Sequence, residues 1–74
     1  MSTHDDVTVR VTVGEQQHDL PRGSSVADVV ELMGQEPGAV STAVNGQFVA
    51  RTARAEHVLA DGDQVLLFQP IVGG

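Results

Sequence analysis

Residues 24–34 read SSVADVVELMG, and this stretch decides the fold. Val26, Val29, Val30 and Met33 fall at i, i+3, i+4 and i+7, which makes one apolar stripe along a helix. Ser24 or Ser25 is placed to cap the free N–H groups of its first turn. Asp28 and Glu31 lie toward its early turns, where the helix dipole favours acids. Gly34 suits the left-handed position that closes such a helix. The only other helical spacing, over residues 52–59, is loose and supports a single turn. A chain with one helix must build the rest of its core from strands.

On the N-terminal side, residues 7–13 read VTVRVTV. Val7, Val9, Val11 and Val13 share one face, with Thr8, Arg10 and Thr12 on the other, the pattern of a half-buried strand. Gly14-Glu15 predicts a turn into a weaker strand over residues 16–20, so the two form a hairpin. Pro21-Arg22-Gly23 breaks that strand ahead of the helix. Residues 1–6, MSTHDD, have charge and no apolar partner and read as a short disordered leader.

On the C-terminal side, Pro37-Gly38 makes a loop and residues 40–44 a strand. Asn45-Gly46 is the strongest short hairpin signal, because both residues tolerate positive φ. Residues 47–50 return as a short strand. Asp61-Gly62-Asp63 is a further tight turn, and it launches residues 64–69 as the last strand. The order ββαββ, a loop, then β gives an α+β roll, a mixed sheet covered on one face by the helix.

Composition narrows the partners. Seventy-four residues make one small domain, and with no Cys it has no disulfide or Cys-ligated metal site. Ten acidic residues against four Arg, with no Lys, give a formal charge of −6, which argues against nucleic acid and suits a partner with a basic docking face. No apolar run approaches the roughly 20 residues of a membrane span, and no signal peptide is visible. A soluble, cytoplasmic chain is expected.

The last strand is two-faced. Val65-Leu66-Leu67-Phe68 does not alternate, so if Val65 and Leu67 face the helix-covered core, Leu66 and Phe68 point the other way. The outer face then carries an apolar patch, the usual mark of a partner site. Alternatively, residues 50–60 fold over that face, or a second copy covers it. Pro70 has no N–H for a ladder and should end regular pairing. Ile71, Val72, Gly73 and Gly74 then project as an extended tail. Its last two positions have no bulk, so it can enter a narrow channel and present its carboxylate.

The run NGQFVAR…VLADGDQVLLFQPIVGG resembles the C-terminal half of the sulfur carriers of thiamine biosynthesis, the ThiS type, within the ubiquitin-like β-grasp carriers. The features that match are Asn45-Gly46, Val49-Ala50-Arg51, Asp61-Gly62-Asp63, the apolar strand and Gly73-Gly74. Ala50 stands where that family often has Pro. The resemblance implies a β-grasp domain over residues 7–70 and a tail over 71–74. It implies that an adenylating, E1-like enzyme uses ATP to convert the Gly74 carboxylate to an acyl-adenylate. Sulfur from that enzyme or a sulfur donor protein then leaves a thiocarboxylate, and a thiazole synthase takes up the sulfur. Leu66, Phe68 and Arg51 become partner-docking residues, with Gly73, Val72 and Ile71 as the slim tail. The chain is then a protein co-substrate with no catalytic residue and no bound cofactor of its own, a monomer when free. A carrier for another sulfur metabolite, such as the molybdopterin dithiolene, a modifier of target lysines and a passive binding module are the other readings.

Other candidates carry less. His4, His18 and His57 are scattered without ligand spacing and read as surface residues, so no metal site is expected. Gly34 to Gly38 is interrupted by Pro37 and is no phosphate loop. Asp61 and Asp63 read as turn residues rather than a carboxylate pair.

Overall fold

In the computed structural model, residues 7–69 are described. The alternating stretch forms β1, Thr8–Val13, with Val9, Val11 and Val13 buried. Val7, expected on the same face, precedes the strand and is 68% exposed. β2, Gln16–Pro21, pairs antiparallel to β1 across the Gly14-Glu15 turn. It runs one residue further than the sequence indicates: Pro21 opposes Thr8 as the terminal pair of an edge strand, a place where a missing N–H is tolerated. His18 opposes Val11 on the core side and is half-buried, with Nε2 enclosed and without a hydrogen bond, so the expectation of a surface histidine is corrected there. His57 is half-buried too, and His4 lies outside the described residues.

α1, Val26–Leu32, starts and stops as its caps dictate. Ser25 is the N-cap: its backbone N–H donates to Asp28 Oδ2 at 2.9 Å and its hydroxyl accepts from the Asp28 N–H, a reciprocal capping box. At the other end Gly34 takes φ 72°, its N–H reaching Glu31 O and that of Gln35 reaching Val30 O. These two bonds make a Schellman closure. Val26, Val29 and Val30 are buried and Met33 packs partly against them. Beyond the helix, Pro37–Ala39 forms a short 3-10 turn where a plain loop was expected.

β3, Ser41–Val44, and β4, Gln47–Val49, form the second hairpin. Its turn has φ 52° at Asn45 and 84° at Gly46, the positive pair that an Asn-Gly turn demands. Arg51–Glu56 is a longer 3-10 segment than the single turn expected, and it packs against α1. The last strand, β5, is Gln64–Phe68.

The five strands lie in one mixed sheet, ordered β2-β1-β5-β3-β4, with β1 and β5 parallel and the other pairs antiparallel. The core cluster joins Val9, Val11, Val13, Val44, Val49 and Val65 of the sheet to Val26 and Val29 of α1 and to Leu59. One sheet face is thus covered by the helix. Residues 51–56 lie on that same side, and among the described residues nothing folds across the other.

Candidate partner-docking site

Register determines what the uncovered face displays. Val65 and Leu67 point inward, as Val65 opposes Val13 and Val44 while Leu67 opposes Thr42. Leu66 therefore points outward, and its opposite number on β3 is Ala43. Ala43 in turn opposes Phe48 on β4, so Leu66, Ala43 and Phe48 form one row across three strands. Phe68 stands further along β5, opposite Ser41. Leu66 is 42%, Phe68 43% and Phe48 67% exposed, while Ala43 is buried between its larger neighbours. A contiguous apolar row on an open sheet face is the form of a protein-binding surface. The sequence reading places Leu66 and Phe68 there. It misses Phe48, whose signal was the Phe48-Val49 alternation read together with the Asn-Gly register.

Beside this row the face is polar and nearly neutral. Arg10 Nε donates to Asp19 Oδ1 at 3.0 Å across the β1–β2 pair, in an exposed ion pair. That hydrogen bond, and then the opposite charge, raise the Arg10 pKa and hold the Asp19 carboxyl below its ordinary value. Such a pair sets the local charge pattern and adds little to stability.

The Asp-Gly-Asp turn is structural. Asp61 Oδ1 accepts from the Arg10 N–H at 2.7 Å, and Asp63 Oδ2 from the Ala60 N–H at 2.8 Å. Asp63 Oδ1 also accepts from Asn45 Nδ2 at 3.0 Å, while Asn45 Oδ1 accepts from the Gln64 N–H. The two turns are locked to one another, which fixes where β5 begins. Among the described residues no cluster of His, Asp and Glu could hold a metal ion.

At the opposite end of the sheet β5 ends at Phe68. Ser41 opposes Phe68 and Thr42 opposes both Leu67 and Val49, so the start of β3 and the ends of β4 and β5 meet there. Arg51 is exposed at that end, its guanidinium against Gly38: a Cβ built on Gly38 would lie 3.4 Å from Arg51 Nη1. Arg54, by contrast, is 5% exposed. Its Nη2 donates to Val40 O at 2.6 Å, its Nη1 to Pro37 O at 2.9 Å and its Nε to Thr42 Oγ1 at 3.1 Å. The Thr42 hydroxyl passes the chain of bonds on to Val49 O at 2.9 Å. Nothing in the sequence marked Arg54 as internal. Pro70, Ile71, Val72, Gly73 and Gly74 lie outside the described residues.

Comparison with known proteins places the family and the fold. Residues 7–74 match the ThiS family. The sulfur carrier protein ThiS of Escherichia coli (strain K12) is 35% identical over 66 residues, which span 89% of this chain and 100% of that protein. Among solved structures, the thiamine biosynthesis protein ThiS from Geobacter metallireducens superposes with a TM-score of 0.76 at 20% identity, covering 89% of this chain and 100% of that one. A Caldiarchaeum subterraneum ubiquitin superposes with a TM-score of 0.51 at 18% identity, over 92% and 98% of the respective chains. These two likenesses establish the ubiquitin-like β-grasp fold. The chain belongs to the ThiS family, whose members are sulfur carriers of thiamine biosynthesis and act as co-substrates rather than enzymes.

Proposed function

We propose that the chain carries sulfur on Gly74. In this reading the terminal carboxylate attacks the α-phosphorus of ATP on an adenylating enzyme and pyrophosphate leaves. A hydrosulfide delivered by that enzyme or by a sulfur donor protein then attacks the acyl carbon, AMP leaves, and the incoming sulfur loses its proton. The resulting thiocarboxylate donates its sulfur to a thiazole synthase. A carboxylate is a poor electrophile, and adenylation supplies the leaving group that lets sulfur enter.

The carrier itself provides a docking face and a slim reach. The observation that carries the reading is the family match through residue 74, joined to an uncovered apolar row at Phe48, Ala43, Leu66 and Phe68. Residues 69–74 span up to about 20 Å when extended. Docking the row on a partner therefore allows Gly74 to act well inside that partner, with Gly73 adding no bulk. Arg51 and the outer row are the contact residues in this reading, and ATP is bound by the partner alone. A cytoplasmic location, where ATP and the partner enzymes meet the carrier, goes with it. No helix of the described residues is long and apolar enough to cross a membrane.

Pyrophosphate exchange into ATP tests this reading. The full chain should stimulate exchange by the cognate adenylating enzyme, and a chain lacking Gly74 should not. Equal stimulation by both would remove Gly74 as the activated residue.

A further inference from the structure

The four arginines are used unequally. Arg10 is paired with Asp19, Arg22 is exposed and also has a partner, and Arg54 is turned inward. Arg51 is exposed and, among the described residues, has neither a hydrogen bond nor an ion pair. Arg54 is the more unusual of these two, because its acceptors are two carbonyls and a hydroxyl, with no carboxylate.

Burying a guanidinium among neutral acceptors is a costly way to fill space, since an apolar side chain of similar volume has no charge to desolvate. What the guanidinium adds is direction: its planar fork holds several acceptors in fixed relation. Here those acceptors are Pro37 O, Val40 O and Thr42 Oγ1, so the fork clamps residues 37–40 onto the start of β3. Gly38 sits inside the clamped loop, and its missing side chain leaves the surface on which the Arg51 guanidinium lies. The loop is therefore held from within by one arginine and covered from outside by another.

We infer that Arg54 is a positioning residue for Arg51, and that Arg51 offers its guanidinium to a carboxylate of the adenylating partner at the end of the sheet where the tail departs. This rests on the carrier reading given above. An exposed cation with no acidic side chain paired to it among the described residues, in a chain of net charge −6, gives a partner a fixed point of attraction beside an otherwise apolar contact. Such a contact sets register, and register determines where Gly74 arrives.

The test is carrier-dependent pyrophosphate exchange with the cognate adenylating enzyme, measured against carrier and salt concentration. Arg51→Met should raise the KM for the carrier about tenfold and change kcat less than about twofold, as expected for the loss of one interfacial charge pair. The wild-type KM should rise with salt, and that rise should flatten in Arg51→Met. Arg54→Met should also raise KM and flatten the salt response although Arg51 is intact, with Arg54→Lys partly restoring both. If Arg54→Met does not fold, Thr42→Val, which removes the Nε acceptor, takes its place and should shift KM in the same direction. A folded Arg54 or Thr42 variant with wild-type KM and salt response would overturn the positioning role while leaving the carrier reading intact. A wild-type chain that stimulates no exchange would remove the carrier reading, and this inference with it.

Discussion

At the scale of single residues, the side chains that matter most to the site divide by how they could be read. Leu66 and Phe68 are legible because an unalternating strand beside one helix must leave an apolar side uncovered. Phe48 is equally exposed to reading in principle, but its face depends on which residue of β3 it opposes, and only the register with Ala43 supplies that. Arg54 is illegible, since an arginine in a short polar segment reads as solvated. Its burial follows from carbonyls brought together by the Pro37–Ala39 turn and β3. Asp19 gives a prediction at this scale. Its folded pKa is depressed by the hydrogen bond and charge of Arg10. The stability it contributes is therefore present above the unfolded value of about 3.9 and is lost as pH falls through the lower folded value. Carboxyl NMR should find Asp19 titrating below that value in the wild type and moving upward in Arg10→Gln. An unchanged titration in the variant would show that the ion pair does not form in solution.

At the scale of elements, local chemistry and tertiary context explain different parts. α1 was legible in its stripe and both caps, because Ser25, Asp28 and Gly34 act through neighbours within four residues. Both hairpin turns were legible for the same reason. β2 was weakly legible because an edge strand of Gln16, Gln17, His18 and Asp19 shows little alternation, and pairing with β1 is what makes it a strand. The segment Arg51–Glu56 reads as little more than one turn because its packing against α1 and the inward Arg54 have no periodic signal. The Asp-Gly-Asp and Asn-Gly turns are each legible, but their union through Asp63 is not, since the bond joins residues 18 apart. That union predicts coupling. Asp63→Ala should cost about 1–3 kcal/mol in urea unfolding, because the Ala60 N–H and Asn45 Nδ2 lose their acceptor together. Its amide shifts should appear in both turns. Changes confined to residues 60–64 would show the turns to be independent.

At the scale of the whole molecule, the sheet separates a face packed on the helix from an open one, proposed above as the docking face. The valine-rich side packs on α1, while the outer side keeps Phe48, Leu66 and Phe68 in water at some solvation cost. Replacing each of these three by Asp should leave the thermal midpoint near or above that of the wild type, because a half-exposed apolar side chain adds little to the core. The same replacements should sharply reduce activation by the adenylating enzyme. Unfolding of the Leu66→Asp chain, or its full activation, would mean that the row serves the fold rather than docking. The central claim is that Gly74 becomes a thiocarboxylate. It is tested most directly by the intact mass of the chain after incubation with ATP, the cognate adenylating enzyme and a sulfide source. The account predicts replacement of one oxygen by one sulfur, located to Gly74 by fragmentation and absent when Gly74 is deleted. An unchanged mass with an enzyme that activates its own known carrier would contradict it.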